Sequence, residues 1–159
     1  MKSELDLLRE LYWYNAKGRQ GYLRKIWRLP PGQRYRDRGA SFPSLVDIYM
    51  HILDAYRWWF LSVYRHAGPF DEYPLGTRYT RAEALRETRN VDRLVGSVLR
   101  ELRPRDLDRK LRLPIRRTVR VSVRDMLVHM VEEELQHKGE LNALLWQLDV
   151  EAPVLGFGD

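Results

Sequence analysis

Residues 125–148, DMLVHMVEEELQHKGELNALLWQL, carry the pattern on which the fold of this chain turns. Met126, Met130, Glu133, His137, Leu141, Leu144 and Leu148 recur at spacings of three and four, the period of a single helix face. A helix of this length with one apolar stripe has to bury that stripe against other helices. The stripe also directs Glu133 and His137 toward the core. There an ionised carboxylate is costly unless paired or bound to metal, and an imidazole needs partners for both nitrogens. His129, one turn before Glu133, runs along the same side.

Ser122 with Asp125 forms the cap that starts this helix, and Pro153 lies beyond its end. Residues 110–123 differ in kind. Pro114 interrupts them, and Val119, Val121 and Val123 alternate with Arg120 and Ser122, which predicts an extended crossover. Further upstream, Thr80 with Glu83 caps a third helix marked by Ala84, Thr88, Val91, Val95, Val98 and Leu102 and stopped by Pro104. Ser41-Phe42-Pro43-Ser44 opens a second helix, with Leu45, Ile48, Ile52, Ala55 and Trp59 as its stripe and Ala67-Gly68-Pro69 as its end. The first helix covers residues 4–28, carries Leu5, Leu8, Tyr12 and Asn15, and stops in Leu29-Pro30-Pro31-Gly32. Four such helices can bury their stripes only against one another. The expectation is an all-α, four-helix bundle with a long extended crossover before the last helix, as one domain over residues 1–159.

His51 sits beside the stripe of the second helix and is expected to face inward, so that His51, Glu133 and His137 converge from two helices. Three ligands leave open coordination positions, the pattern of a catalytic metal site. Spacing alone leaves a second reading open, in which His51 is a hydrogen-bonded core residue and Glu133 with His137 is an intrahelical ion pair. Glu134 and His137 make a Glu-x-x-His pair, the element of di-iron bundles. That site needs a second such pair, and no glutamate stands at the required spacing before His51, His66 or His129. His66 reads as structural or solvated.

Composition sets further limits. The chain has no cysteine, which excludes disulfides, thiolate zinc sites and cysteine nucleophiles. No segment is apolar enough to span a membrane or to serve as a signal core, so a soluble protein is expected, with the cytoplasm as the default compartment. The net charge of +6 raises nucleic acid as a partner. The basic excess lies between residues 78 and 120, whereas the aromatic residues cluster in 12–14 and 56–60, so the interleaving that suits strand stacking is missing and nucleic acid is not expected. Arg57, Arg116, Arg117 and Arg120 are candidate carboxylate-binding forks, with a solvated face as the blander reading. Tyr56, Trp58 and Trp59 are candidates for a pocket mouth, with core or a dimer interface as the blander reading.

Two blocks resemble the DinB/YfiT-like family of four-helix metalloenzymes. FPSLVDIYMHILDAYRWWF, residues 42–60, is similar to the family's second helix, which brings the first metal histidine to the place of His51. MLVHMVEEELQHKGELNALLWQLDVEAP, residues 126–153, is similar to its last helix. On that pattern His129 matches a leading histidine, His137 the last metal ligand, and Lys138-Gly139-Glu140 the usual Arg-Gly-Gln. Position 133 departs: the family has histidine there and this chain has glutamate. The resemblance implies one divalent metal ion (zinc, nickel, iron or manganese) held by His51, Glu133 and His137. It also implies activation of a thiol or water toward a small electrophilic substrate, with a low-molecular-weight thiol as partner, and a homodimer. The alternative expectation is a non-catalytic dimeric bundle that binds a ligand or protein, its metal site weakened or lost.

Overall fold

Each long helix opens on a serine or threonine followed three residues later by an acid. In the computed structural model, which describes residues 1–68, 70–114 and 116–153 (the backbone only at 116–118), all four pairs close as reciprocal capping boxes. Ser3 with Asp6 starts α1 (Glu4–Arg28), Ser44 with Asp47 starts α3 (Leu45–Arg57), Thr80 with Glu83 starts α4 (Arg81–Glu101) and Ser122 with Asp125 starts α5 (Val123–Trp146). Each box satisfies amide groups that a helix start leaves without partners, worth about 1 kcal/mol apiece. The Pro-Pro-Gly terminator after α1 contains one short turn of helix, α2 (Pro31–Arg34), where the second proline is accommodated because an N-terminal position needs no amide.

The second predicted helix is α3 continued by a wider π-helical segment, Trp58–Tyr64, which ends near His66 at φ 53°. His66 is exposed, the solvated of its two readings. α3 is the most enclosed element, with Leu45, Val46, Ile48, Tyr49, Ile52 and Leu53 all buried, because it packs on α1, α4 and α5. α1 in turn packs on α4 and α5. The result is a helical bundle.

The crossover is a hairpin. After a 3₁₀ turn at Pro104–Asp108, β1 (Lys110–Leu113) pairs antiparallel with β2 (Arg116–Ser122), placing Leu111 opposite Val121. Of the alternation read in residues 119–123, Val119–Ser122 lies in this two-stranded ladder and Val123 already opens α5, capped by Ser122. Pro153 lies against α1, where a Cβ built on Gly21 would stand 2.8 Å from the proline ring. Only glycine lets the chain after α5 pass this close. No helix among the described residues is long and apolar enough to cross a membrane.

The connection from α3 to α4 is fastened to the carboxylates of α3. The Tyr73 amide donates to Asp54 Oδ2 at 2.6 Å and the Gly76 amide to Asp47 Oδ1 at 2.7 Å. Burial pushes the Asp54 carboxyl up to about 6, against the amide of Tyr73 and the guanidinium of Arg57, which both favour its charge.

Candidate metal centre

α3 and α5 pack face to face, and this contact brings the three predicted ligands together. His51 Nε2 lies 3.2 Å and His137 Nε2 3.3 Å from the same oxygen, Oε1 of Glu133. One ligand atom from each residue falls within 4.8 Å of the others. His137 is buried, whereas His51 and Glu133 are partly open, so the cluster has a closed back and an accessible front. Phe42, from the segment that leads into α3, stacks on the His51 ring with centroids 3.9 Å apart and meets His137 edge-on at 5.7 Å. It fixes both ring planes from one side. Burial, the largest influence, lowers the His51 pKa, with Glu133 acting in the opposite sense and His137 in the same one.

The far nitrogen of His137 bears on what the cluster could hold. Nδ1 lies 3.2 Å from Glu140 Oε2, so this imidazole has a carboxylate at each nitrogen. A neutral imidazole carries one N–H. If Nδ1 donates to Glu140, the lone pair of Nε2 points at a carboxylate oxygen that His51 also faces. A cation in that space, proton or metal ion, removes the conflict. Glu140 is itself held by the Ser41 amide at 2.7 Å and the Ser41 hydroxyl at 2.6 Å. The chain Ser41–Glu140–His137 is the arrangement by which an outer carboxylate orients a metal-binding imidazole. Two imidazoles and one carboxylate are a competent donor set for zinc, iron, nickel or manganese.

The profile of the DinB superfamily matches residues 17–141. This chain belongs to the DinB superfamily. No curated protein matched it. The DinB match runs from the second half of α1 through most of α5 and contains all three residues of the cluster.

Around the DinB cluster, the remaining sequence candidates divide. His129 Nε2 stands 3.9 Å from Glu133 Oε2, too far for a hydrogen bond, and its ring packs on Trp59 at 5.3 Å. Trp58 and Trp59 line a pocket of about 340 Å³ whose wall also includes His51, Asp54, Ala55, Phe70, Glu72 and Glu133. Tyr56 does not line it, being buried on the opposite side of α3. Arg57 is engaged by Asp54 at 2.6 Å and Arg120 is exposed, while the side chains of Arg116 and Arg117 lie outside the described residues.

Sequence periodicity placed Glu133 on the core stripe. The structure corrects this: Glu133 is partly exposed and Glu134, its neighbour, is completely buried. The cause is a polar network that the stripes concealed. Arg19 of α1 grips Glu134 with two parallel hydrogen bonds of 3.0 Å, and its third nitrogen reaches Asp92 of α4 at 3.2 Å. Tyr56 donates to Glu134 at 2.6 Å, and Lys138 approaches the same carboxylate at 2.9 Å while also donating to the Asn15 carbonyl at 2.8 Å. Successive helix residues point roughly 100° apart. With Glu134 turned into the bundle by Arg19, Glu133 is turned toward α3 and His51. A signal was available in α1, where Asn15 and Arg19 continue the spacing of Leu8 and Tyr12.

Proposed function

We propose that His51, Glu133 and His137 hold one divalent metal ion and that the protein is a metal-dependent enzyme of the thiol-transfer or hydrolytic kind. The observation that supports this most directly is the convergence of two histidine nitrogens on one carboxylate oxygen beside a pocket that His51 and Glu133 line, in a DinB member. A divalent ion bound there supplies positive charge that lowers the pKa of a thiol or water in its open positions.

The protein's own residues set the conditions for that chemistry. His137 is oriented from behind by Glu140 and Ser41. Phe42 covers the His51 ring and keeps water from that face. Asp54 lines the pocket, but one oxygen accepts from Arg57 and the other from the Tyr73 amide, so its work is to hold the loop rather than to carry protons. The half-buried rings of Trp58, Trp59 and Phe70 form the side on which a small electrophilic substrate enters.

Protein purified without chelators and reconstituted with zinc, nickel, iron(II) or manganese is expected to hold about one equivalent of metal by elemental analysis, whereas less than about a tenth of an equivalent would overturn the proposal in favour of a metal-free binding bundle. Glu140→Ala should lower metal affinity about 10–100-fold in a competition titration against a chromophoric chelator, because His137 loses the partner that orients it. An unchanged affinity would remove Glu140 from the centre.

A further inference from the structure

The pocket beside the triad has a chemical character of its own. Three carboxylates, Asp54, Glu72 and Glu133, line it, and no lysine or arginine does so among the described residues. Its other walls are the rings of Trp58, Trp59 and Phe70, the two indoles meeting edge-on with centroids 4.8 Å apart.

These carboxylates are not equivalent. Asp54 is neutralised locally by Arg57 and the Tyr73 amide. Glu133 faces the two histidines. Glu72 is exposed on the loop and makes no hydrogen bond or ion pair with the described residues. It is the one negative charge on the wall left for a ligand.

The aromatic side of the loop already attracts a cation. The Arg57 guanidinium lies 5.0 Å from the Phe70 ring centroid and 4.3 Å from that of Tyr73. Ring faces carry negative electrostatic potential and bind ammonium and guanidinium groups. Because Arg57 is engaged by Asp54, it does not reverse the sign of the wall.

We propose that this pocket selects substrates that carry an alkylammonium group, held against Trp58, Trp59 and Phe70 with Glu72 as its counter-charge. The inference rests on the reading of the triad as the reaction centre. An anionic ligand meets the Glu72 carboxylate and finds no lysine or arginine on the wall among the described residues. A neutral apolar one strips water from Glu72 without replacing it. An ammonium group complements both the rings and the carboxylate. At about 30 Å³ for each water-sized group, the pocket has room for about ten non-hydrogen atoms. An ammonium at the Glu72 end therefore leaves a short chain able to reach His51 and Glu133, which line the same pocket.

Three probes of one shape and different charge test this: choline, its neutral isostere 3,3-dimethylbutan-1-ol, and the anion 3,3-dimethylbutanoate. Binding is measured by titration calorimetry on the metal-stripped and the zinc-reconstituted protein. Choline is expected to bind about tenfold more tightly than either isostere to the metal-stripped protein, and about tenfold more tightly than the neutral isostere to the zinc form, and Glu72→Gln is expected to remove most of that preference. Trp58→Leu should weaken choline more than the neutral isostere. Equal affinities for the three probes, absence of choline binding at millimolar concentration, or an unchanged preference in Glu72→Gln overturns the inference. Glu72 is exposed, so its variant reports on binding and not on folding. Preference for choline without zinc uptake would sink the metal proposal and leave the pocket assignment standing. Zinc uptake without the preference would do the reverse.

Discussion

Glu134→Gln is expected to destabilise the protein by about 3–5 kcal/mol, whereas Glu133→Gln, one residue away, costs less than about 1 kcal/mol. Urea denaturation with an unchanged slope would measure both. The difference follows from enclosure. Arg19 and Glu134 are fully buried, and Lys138 is 3% exposed. Removing the carboxylate leaves two cations inside the bundle with only Asp92, which is partly exposed, to balance them. Exchanging Arg19, Glu134 and Lys138 together for methionine and leucine of similar size should recover much of the loss, because the desolvation cost disappears with the charges. If Glu134→Gln were as stable as the wild type, the network would not hold the helices.

Acid should reveal the same network. Burial raises the Glu134 pKa, but Arg19 and Lys138 together overcome it and hold the carboxyl at about 2, below its ordinary 4.5. A carboxyl with a depressed folded-state pKa contributes stability that is complete above its unfolded value and lost as pH falls through the folded one. Wild-type stability should therefore drop between pH 4.5 and 2, and Glu134→Gln should lack that part of the drop.

His51→Ala should lower metal affinity by more than about 100-fold, since it removes a ligand and not merely a group that orients one. His51 is the only member of the cluster from α3, so its loss leaves Glu133 and His137 on α5 alone, an i, i+4 pair with no partner across the helix interface. Its partial exposure means that the fold should survive, and circular dichroism should show the same helix content. Chelator competition that gave wild-type affinity for His51→Ala would refute the ligand assignment whatever the metal.

Much of the fold was legible because its signals are local. Each capping box joins residues three apart, and each terminator is a run of proline or glycine, so Thr80 with Glu83 and Ser122 with Asp125 could be recognised without knowing any neighbour. Residues 110–123 read as extended chain from Pro114 and the valine alternation, but their pairing into a hairpin has no local signature, because residues 110–113 offer only Leu111 and Leu113. The π-helical continuation of α3 had no sequence sign.

At the site, sequence spacing and family resemblance together named His51, Glu133 and His137, and the three do meet. What they did not supply was how far each side chain is enclosed. Met126, Met130 and His137 share a stripe, but a stripe on a helix is broad enough to admit either Glu133 or Glu134. The choice was made by Arg19, which is more than a hundred residues away in the chain and bonds Glu134 inside the bundle. The carboxylate behind His137, the serine behind that carboxylate, and the loop that carries Phe70 and Glu72 to the pocket are likewise long-range placements.

By itself, then, the sequence determined where helices begin and end and which residue types could bind a metal, because capping, termination and helical period act within a few residues. The tertiary structure alone decided which of two adjacent glutamates is enclosed by the bundle and which charges line the pocket. Those choices depend on the balance of burial and charge across four helices, and no local pattern contains it.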